Sequence, residues 1–289
     1  MPGLGTAKVD SRTGETKADA RRHEREFIAG ILRAESEAIA GLIDRLGEEL
    51  NEGVDAIVSC IEAGGSVHVT GMGKSGAICQ KISATLKSLG VPSHFIHPSE
   101  ALHGDVGQVR ARDCVIALSF SGETEEVVTL SAVLRQDGVA IVAITGGEGK
   151  SALARAASVS LALGQITEAS DLGLAPTCST AAMLALGDAL ALAVARRRAF
   201  TAEDFARYHP GGALGGLLRP VVDVLRFSAG KNLEVVEDGR TVRAALEAAE
   251  HFGRRPGALL LVDGSGKLSG IFTDGDLRRL ILEHPERME

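Results

Sequence analysis

Hydrophobic and polar positions follow two different periods along this chain. Between residue 27 and about residue 62, Phe27, Ile28, Ile31, Leu32, Ile39, Leu42, Ile43, Leu46 and Leu50 recur at the three- and four-residue spacing of a helix face. Gly41, Gly47 and Gly53 interrupt that face and predict two helices rather than one. From residue 66 the pattern becomes short apolar runs separated by longer amphipathic stretches. "SVHVTG", "PSHFIH", "DCVIALSFS", "AIVAITG" and "VSLALG" read as strands. "KSGAICQKISATLKSLG", "ETEEVVTLSAVLRQDG" and "SALARAA" read as the helices between them, and residues 178 to 198 as a long apolar helix.

Strands that alternate with helices predict right-handed crossovers and an α/β fold with a doubly wound parallel sheet, a three-layer sandwich of flavodoxin-like type. The near-continuous apolar strands fit a sheet covered on both faces. Ligands of such sheets bind beyond the carboxyl ends of the strands. The loops "TGMGKSG", "IHPSEALHGD", "SFSGETEE" and "TGGEGKS" are therefore the places to search for chemistry. After "HPGGALGGLLRP" the pattern changes to a small β-α-β-β-α unit. The expected organisation is a disordered or partly ordered tail over 1–26, a main domain over 27–219 and a small unit over 220–289, with a boundary at Arg219-Pro220.

Composition removes several classes of function. Aromatic residues make up 3%, with no Trp and one Tyr, too few for a platform that stacks single-stranded nucleic acid. A net charge of −7 argues against general affinity for nucleic acid or an anionic membrane. The start of the chain carries no apolar signal-peptide core. "APTCSTAAMLALGDALALAVA" comes closest to a membrane span, but Asp188, Thr177, Ser179 and Thr180 interrupt it, and a buried helix is the better reading. Cys60, Cys79, Cys114 and Cys178 form no C-x-x-C pair and read as buried, reduced thiols of a cytoplasmic protein.

The loop "VHVTGMGKSG" raises two nucleotide readings. A Walker A loop needs glycine at position 68, which is His68, and the loop is too short to wrap a triphosphate. A dinucleotide fingerprint, Gly71, Gly73 and Gly76, needs a carboxylate at the end of the next strand, and "SHFIH" supplies none. In "SFSGETEE", Ser119, Ser121 and Thr124 place three hydroxyls around Gly122 before a helix start, where amides and the helix dipole favour an anion. An ordinary capping box, Ser121 with Glu123 or Thr124, explains part of this loop but not Ser119. His94, His97, Glu100, His103 and Asp105 contain metal-ligand types at no standard spacing.

Together "GMGKSG", "SFSGETEE", "EASDLGLAPTCSTAAMLALGDALA" and "FTAEDFARYHPGGALG" resemble the arabinose-5-phosphate isomerase family, in which a sugar isomerase (SIS) domain precedes cystathionine-β-synthase (CBS) repeats. "GIFTDGDLRR" resembles the end of the first such repeat, and the chain ends after one. The resemblance implies a cytoplasmic enzyme that interconverts D-ribulose 5-phosphate and D-arabinose 5-phosphate through an enediol. The product would feed synthesis of Kdo, the acidic sugar of lipopolysaccharide. A sugar-phosphate sensor, or an isomerase of another ketose phosphate such as hexulose 6-phosphate, are the alternatives.

The resemblance also implies residue roles. Lys74, Glu126, Glu168 and His209 match the family's catalytic positions. Lys74 would hold the developing enediolate; on its own it reads as a solvated surface lysine. Glu123 competes with Glu126, since both belong to an acidic first turn that a helix dipole favours. Glu168, at the opening of an apolar loop, is expected to have a raised pKa and to act as the base, with His209 opening the sugar ring; the opposite assignment stays open. Gly73, Ser75, His103, Ser119, Ser121, Gly122, Glu123, Thr124, Ser179 and Thr180 would line the substrate. No cofactor is required, and His103 is the best candidate if a metal is bound. The resemblance further implies a homotetramer with shared active sites, His209 acting on a neighbour's site, and a nucleotide at the CBS unit. "FTDGD" also reads as a plain turn with Asp274 as helix N-cap.

Overall fold

The structure is a computed structural model that describes residues 17–45, 47–170, 172–209, 221–225, 229, 233–249 and 257–283. The boundary expected at Arg219-Pro220 and the Pro-Gly turn after His209 lie outside the described residues. The chain forms two compact units, Met1–Gly215 and Gly216–Glu289.

The first unit opens with helix α1 (Lys17–Ala40), so residues 17–26 of the expected tail are helical. A 3-10 turn at Ile43–Arg45 separates it from α2 (Glu48–Glu62), and the break falls between Gly41 and Gly47, as the glycine pattern predicts. Then follow β1 (Val67–Gly71), α3 (Gly73–Ser88), β2 (Ser93–Ile96), α4 (Pro98–Leu102), β3 (Cys114–Ser119), α5 (Glu125–Gln136), β4 (Ala140–Thr145), α6 (Ala152–Ala156), β5 (Val159–Ala162), α7 (Cys178–Arg197) and α8 (Ala202–Tyr208). The five strands form one sheet in the order β2-β1-β3-β4-β5, with every neighbouring pair parallel. This is the flavodoxin-like doubly wound arrangement read from the sequence.

The near-continuous apolar strands have a direct cause. Alternate residues of each central strand enter different cores, because successive side chains leave opposite faces. Val67 and Val69, Cys114, Ile116 and Leu118, and Val142 and Ile144 pack with α2, α3 and α7. Val115 and Ala117, and Ile141 and Ala143, pack on the other face with Val127, Leu130 and Leu134 of α5. His68 and Thr70 are the buried polar residues of β1, and His68 is the ionisable one. His68 is 3% exposed, and its Nε2 lies 3.2 Å from Asp113 Oδ2, while Asp113 also accepts the Ser66 and Arg110 amides. A residue inside the sheet cannot open a phosphate loop, which is the structural reason Walker A fails here.

α7 is the one helix among the described residues long and apolar enough to cross a membrane by length and composition. In this fold it packs instead against α1, α2 and α3. Asp188, which breaks its apolar run, pairs with Lys81 of α3 and accepts the Thr85 hydroxyl at 3.1 Å. All four cysteines are buried and unpaired. Burial, with Asp113 nearby, pushes the Cys60 thiol up to about 11. The apolar face of α1 is only partly used: Phe27, Ile28 and Leu32 are half or more exposed.

The second unit has three strands, β6 (Val235–Glu237), β7 (Ala258–Val262) and β8 (Leu268–Thr273), with helices Val242–Ala249 and Asp274–Glu283. β6 and β7 are parallel and β7 and β8 antiparallel. This is the β-α-β-β-α order expected.

Candidate active site

β1 and β3 are neighbours with Gly71 beside Leu118, so the loops that follow them emerge together at one edge of the sheet. The first delivers Met72, Lys74 and Ser75, and the second Ser119, Ser121 and Thr124. From the side, the segment before α7 brings Glu168, Pro176, Ser179 and Thr180 to the same place. Between them lies a cavity of about 430 Å³, within the usual range of small-ligand sites.

Each wall has a local cause. Gly71 and Gly76 let α3 lie against the sheet, because a Cβ on Gly76 would stand 2.7 Å from the Gly71 carbonyl oxygen. Their role is helix–strand packing rather than close approach to a ligand. Gly73 turns at φ +55 and hands the chain to Lys74, whose side chain is exposed at the rim. The second wall is a knot of hydroxyls. Ser119 Oγ lies 2.8 Å from Thr124 Oγ1 and 3.5 Å from Ser121 Oγ, and accepts the Gly122 amide at 3.1 Å. The capping box expected from Ser121 is absent. α5 starts at Glu125 with Thr124 as its N-cap, and the Thr124 side chain makes no capping bond because it faces Ser119 instead. The first-turn amides of α5 therefore keep their affinity for an anion.

The third wall corrects an expectation. The Glu168 carboxylate accepts the Thr177 amide at 2.7 Å, the Thr177 hydroxyl at 3.3 Å and the Ser179 amide at 3.4 Å. Burial alone would raise its pKa. The hydrogen bonds from Ser179 and Thr177 outweigh burial and hold it below the usual carboxylate range. Glu168 is thus a firmly ionised cap on the N-terminus of α7, not the raised-pKa base that its apolar loop suggests.

Other expected site residues lie elsewhere. Glu123 turns away from the cavity, and its Oε1 accepts the Ala152 amide at 2.9 Å. Gly122 is buried behind the loop, and Glu126 lies on α5 outside the cavity wall. His103 ends α4, exposed and away from the cavity. Among the described residues no three His, Cys, Asp or Glu are grouped to hold a metal. His209 follows α8 and stacks on Phe205 at 3.9 Å, outside this chain's cavity. Its Nδ1 lies 2.8 Å from the Phe205 carbonyl oxygen. A carbonyl only accepts, so Nδ1 donates this hydrogen bond. In the second unit, Thr273 rather than Asp274 is the helix N-cap. Its hydroxyl accepts the Asp276 amide while Asp276 accepts the Thr273 amide and hydroxyl.

Sequence reasoning misses the apolar lining: Met72, Phe120, Leu174, Pro176 and Met183. Met183 carries a signal, since it lies one helical turn after Ser179 and Thr180 and shares their face. Thr177 reads in the sequence only as a break in an apolar run, yet it supplies two of the hydrogen bonds that hold Glu168.

The SIS domain family matches residues 61–193. Arabinose 5-phosphate isomerase KdsD of Pseudomonas aeruginosa is 46% identical over 89% of this chain and 77% of its own length. The enzyme of the same name from Escherichia coli K12 is 44% identical over 86% of this chain and 74% of its own length. The structure of c3406 from E. coli CFT073, solved in complex with arabinose 5-phosphate, aligns at a TM-score of 0.60 and 37% identity over 68% of this chain and all of the other. With that level of identity across most of its length, the chain belongs to the arabinose 5-phosphate isomerase family of SIS-domain proteins.

Proposed function

We propose that this protein is an aldose–ketose isomerase that interconverts D-ribulose 5-phosphate and D-arabinose 5-phosphate, the first step toward Kdo for lipopolysaccharide. The observation that carries the reading is the convergence of Lys74 with the Ser119, Ser121 and Thr124 hydroxyls around one cavity. A phosphate seats on the hydroxyl knot and the first turn of α5. A base removes a proton from C1 of the ketose, the C2 oxygen takes up negative charge opposite the Lys74 ammonium, the O1 hydroxyl proton passes to O2, and reprotonation at C2 leaves the aldehyde at C1. The Glu168 carboxylate is already engaged by the Thr177 and Ser179 amides, which favours His209 as the group that moves the proton, and Glu168 as the anchor of Ser179 and Thr180.

His209 lies outside the cavity of its own chain, so the complete site requires a second copy. The exposed Phe27, Ile28 and Leu32 on α1 supply an apolar surface for such an assembly, read here as a cytoplasmic homotetramer. The second unit is read as a single CBS repeat. Mutual capping of Thr273 and Asp276 accounts for its "FTDGD" segment without a nucleotide.

The deciding experiment incubates the protein with ribulose 5-phosphate in D₂O and follows the product by NMR. Deuterium at C2 of arabinose 5-phosphate is expected. A folded protein that gives no exchange would sink the reading. Running hexulose 6-phosphate alongside tests the neighbouring substrate class.

A further inference from the structure

We propose that Glu123 is a positioning residue that shapes the phosphate-binding loop from behind and never touches the substrate. The inference rests on the reading above that residues 119–124 seat a phosphate. A carboxylate in the middle of such a loop is otherwise a puzzle, because its charge would repel the ligand.

The structure resolves the puzzle through the loop that follows β4. Ser151 caps α6 by accepting the Ala154 amide at 3.3 Å. The Leu153 amide goes to the Gly122 carbonyl at 2.9 Å, and the Ala152 amide goes to Glu123 Oε1 at 2.9 Å. Two of the free amides that every helix start must satisfy are thus satisfied by the phosphate loop. That docking holds Gly122 in its turn at φ +65 and leaves the Glu123 amide free to donate to Ser121 Oγ at 3.2 Å. The Ala152 amide holds the carboxylate away from the cavity. "TGGEGKS" therefore serves the site without lining it: it gives the phosphate loop a surface to dock on.

Two substitutions remove the same hydrogen bond from opposite sides. Glu123→Ala removes the acceptor. Ala152→Pro removes the donor at the first position of α6, where proline suits a helix start and where Ser151, at φ −70 and ψ 168, already has the backbone a following proline needs. Inorganic phosphate binding to the full chain is measured by calorimetry, and KM and kcat by steady-state isomerisation. Each variant is expected to weaken phosphate and raise KM by about tenfold, with kcat within about twofold of the parent. The double variant should be no worse than either alone, because both remove one interaction. Glu123→Gln, whose amide oxygen still accepts from Ala152, should stay within about twofold of the parent on both measures.

The proposal fails if Glu123→Gln is as damaged as Glu123→Ala, if kcat falls while KM holds, if the two losses add, or if the parent does not bind phosphate. A protein that binds phosphate in this pattern but isomerises nothing would support the role of Glu123 and sink the proposed activity. Should Glu123→Ala not fold, Ala152→Pro and Glu123→Gln decide the matter.

Discussion

The Glu168 carboxylate accepts the Thr177 amide at 2.7 Å and so closes the first turn of the helix that carries Ser179 and Thr180 into the cavity. Replacing it with glutamine keeps an acceptor but removes the charge, and should cost about 0.3–1 kcal/mol of stability at neutral pH, the usual worth of a negative charge at a helix N-terminus. Because the folded pKa is lowered, this contribution is fully present above the unfolded value of about 4.3 and is lost as pH falls through the folded value. Urea unfolding of the parent and Glu168→Gln should therefore differ at pH 7 and converge in acid. A constant difference across pH would mean that the charge of Glu168 is not what caps α7.

Lys74 stands exposed at the cavity rim, clear of both cores of the sheet, so its removal leaves the packing intact. Lys74→Met should shift stability by no more than about 0.5 kcal/mol. If the ammonium stabilises the enediolate, kcat/KM should fall by about a hundredfold to a thousandfold, mostly in kcat. Steady-state kinetics beside a thermal melt separates the two effects. A loss confined to KM would assign Lys74 to ground-state binding instead.

What is legible in the sequence follows from the physics of each feature. The sheet is readable because both faces of β1, β3 and β4 are covered, and burial on both faces writes itself as continuous apolar runs. The hydroxyl loop is readable because a helix start after Ser119, Ser121 and Thr124 has few other uses for three hydroxyls. The role of Glu168 is not, because its pKa depends on amides nine and eleven residues away that only the folded loop brings near. Glu123 escapes a sequence reading for a similar reason: its partner Ala152 lies on another crossover. His209 lies outside its own chain's cavity, in keeping with the action on a neighbour's site that the resemblance implies.

Gly122 turns at φ +65, and a Cβ there would stand 2.0 Å from Ser151 Oγ. Gly122→Ala meets two separate penalties, a left-handed backbone that costs an L-residue about 1–2 kcal/mol and a collision with Ser151. Adding Ser151→Gly removes the collision but not the backbone cost. The double variant should therefore recover part of the stability and of the affinity for inorganic phosphate, as read by melting and calorimetry. Full recovery would show that the turn itself has no role in shaping the loop.

Gly187 lets α3 and α7 approach, since a Cβ on it would lie 2.2 Å from Ile82 Cδ1 and 2.6 Å from Ile82 Cγ1. The two helices carry opposite walls of the cavity, Ser75 on one and Ser179 and Thr180 on the other. Gly187→Ala should overpack this contact, cost about 1–3 kcal/mol and raise KM as the walls separate. Ile82→Ala alone leaves a void and costs about 2–5 kcal/mol. Together the added methyl enters the space that Ile82 vacates, so the double variant should be more stable than the sum of the singles predicts. Denaturant melts of the four proteins measure that coupling directly. Strict additivity would mean that Gly187 and Ile82 do not set the spacing of the two helices.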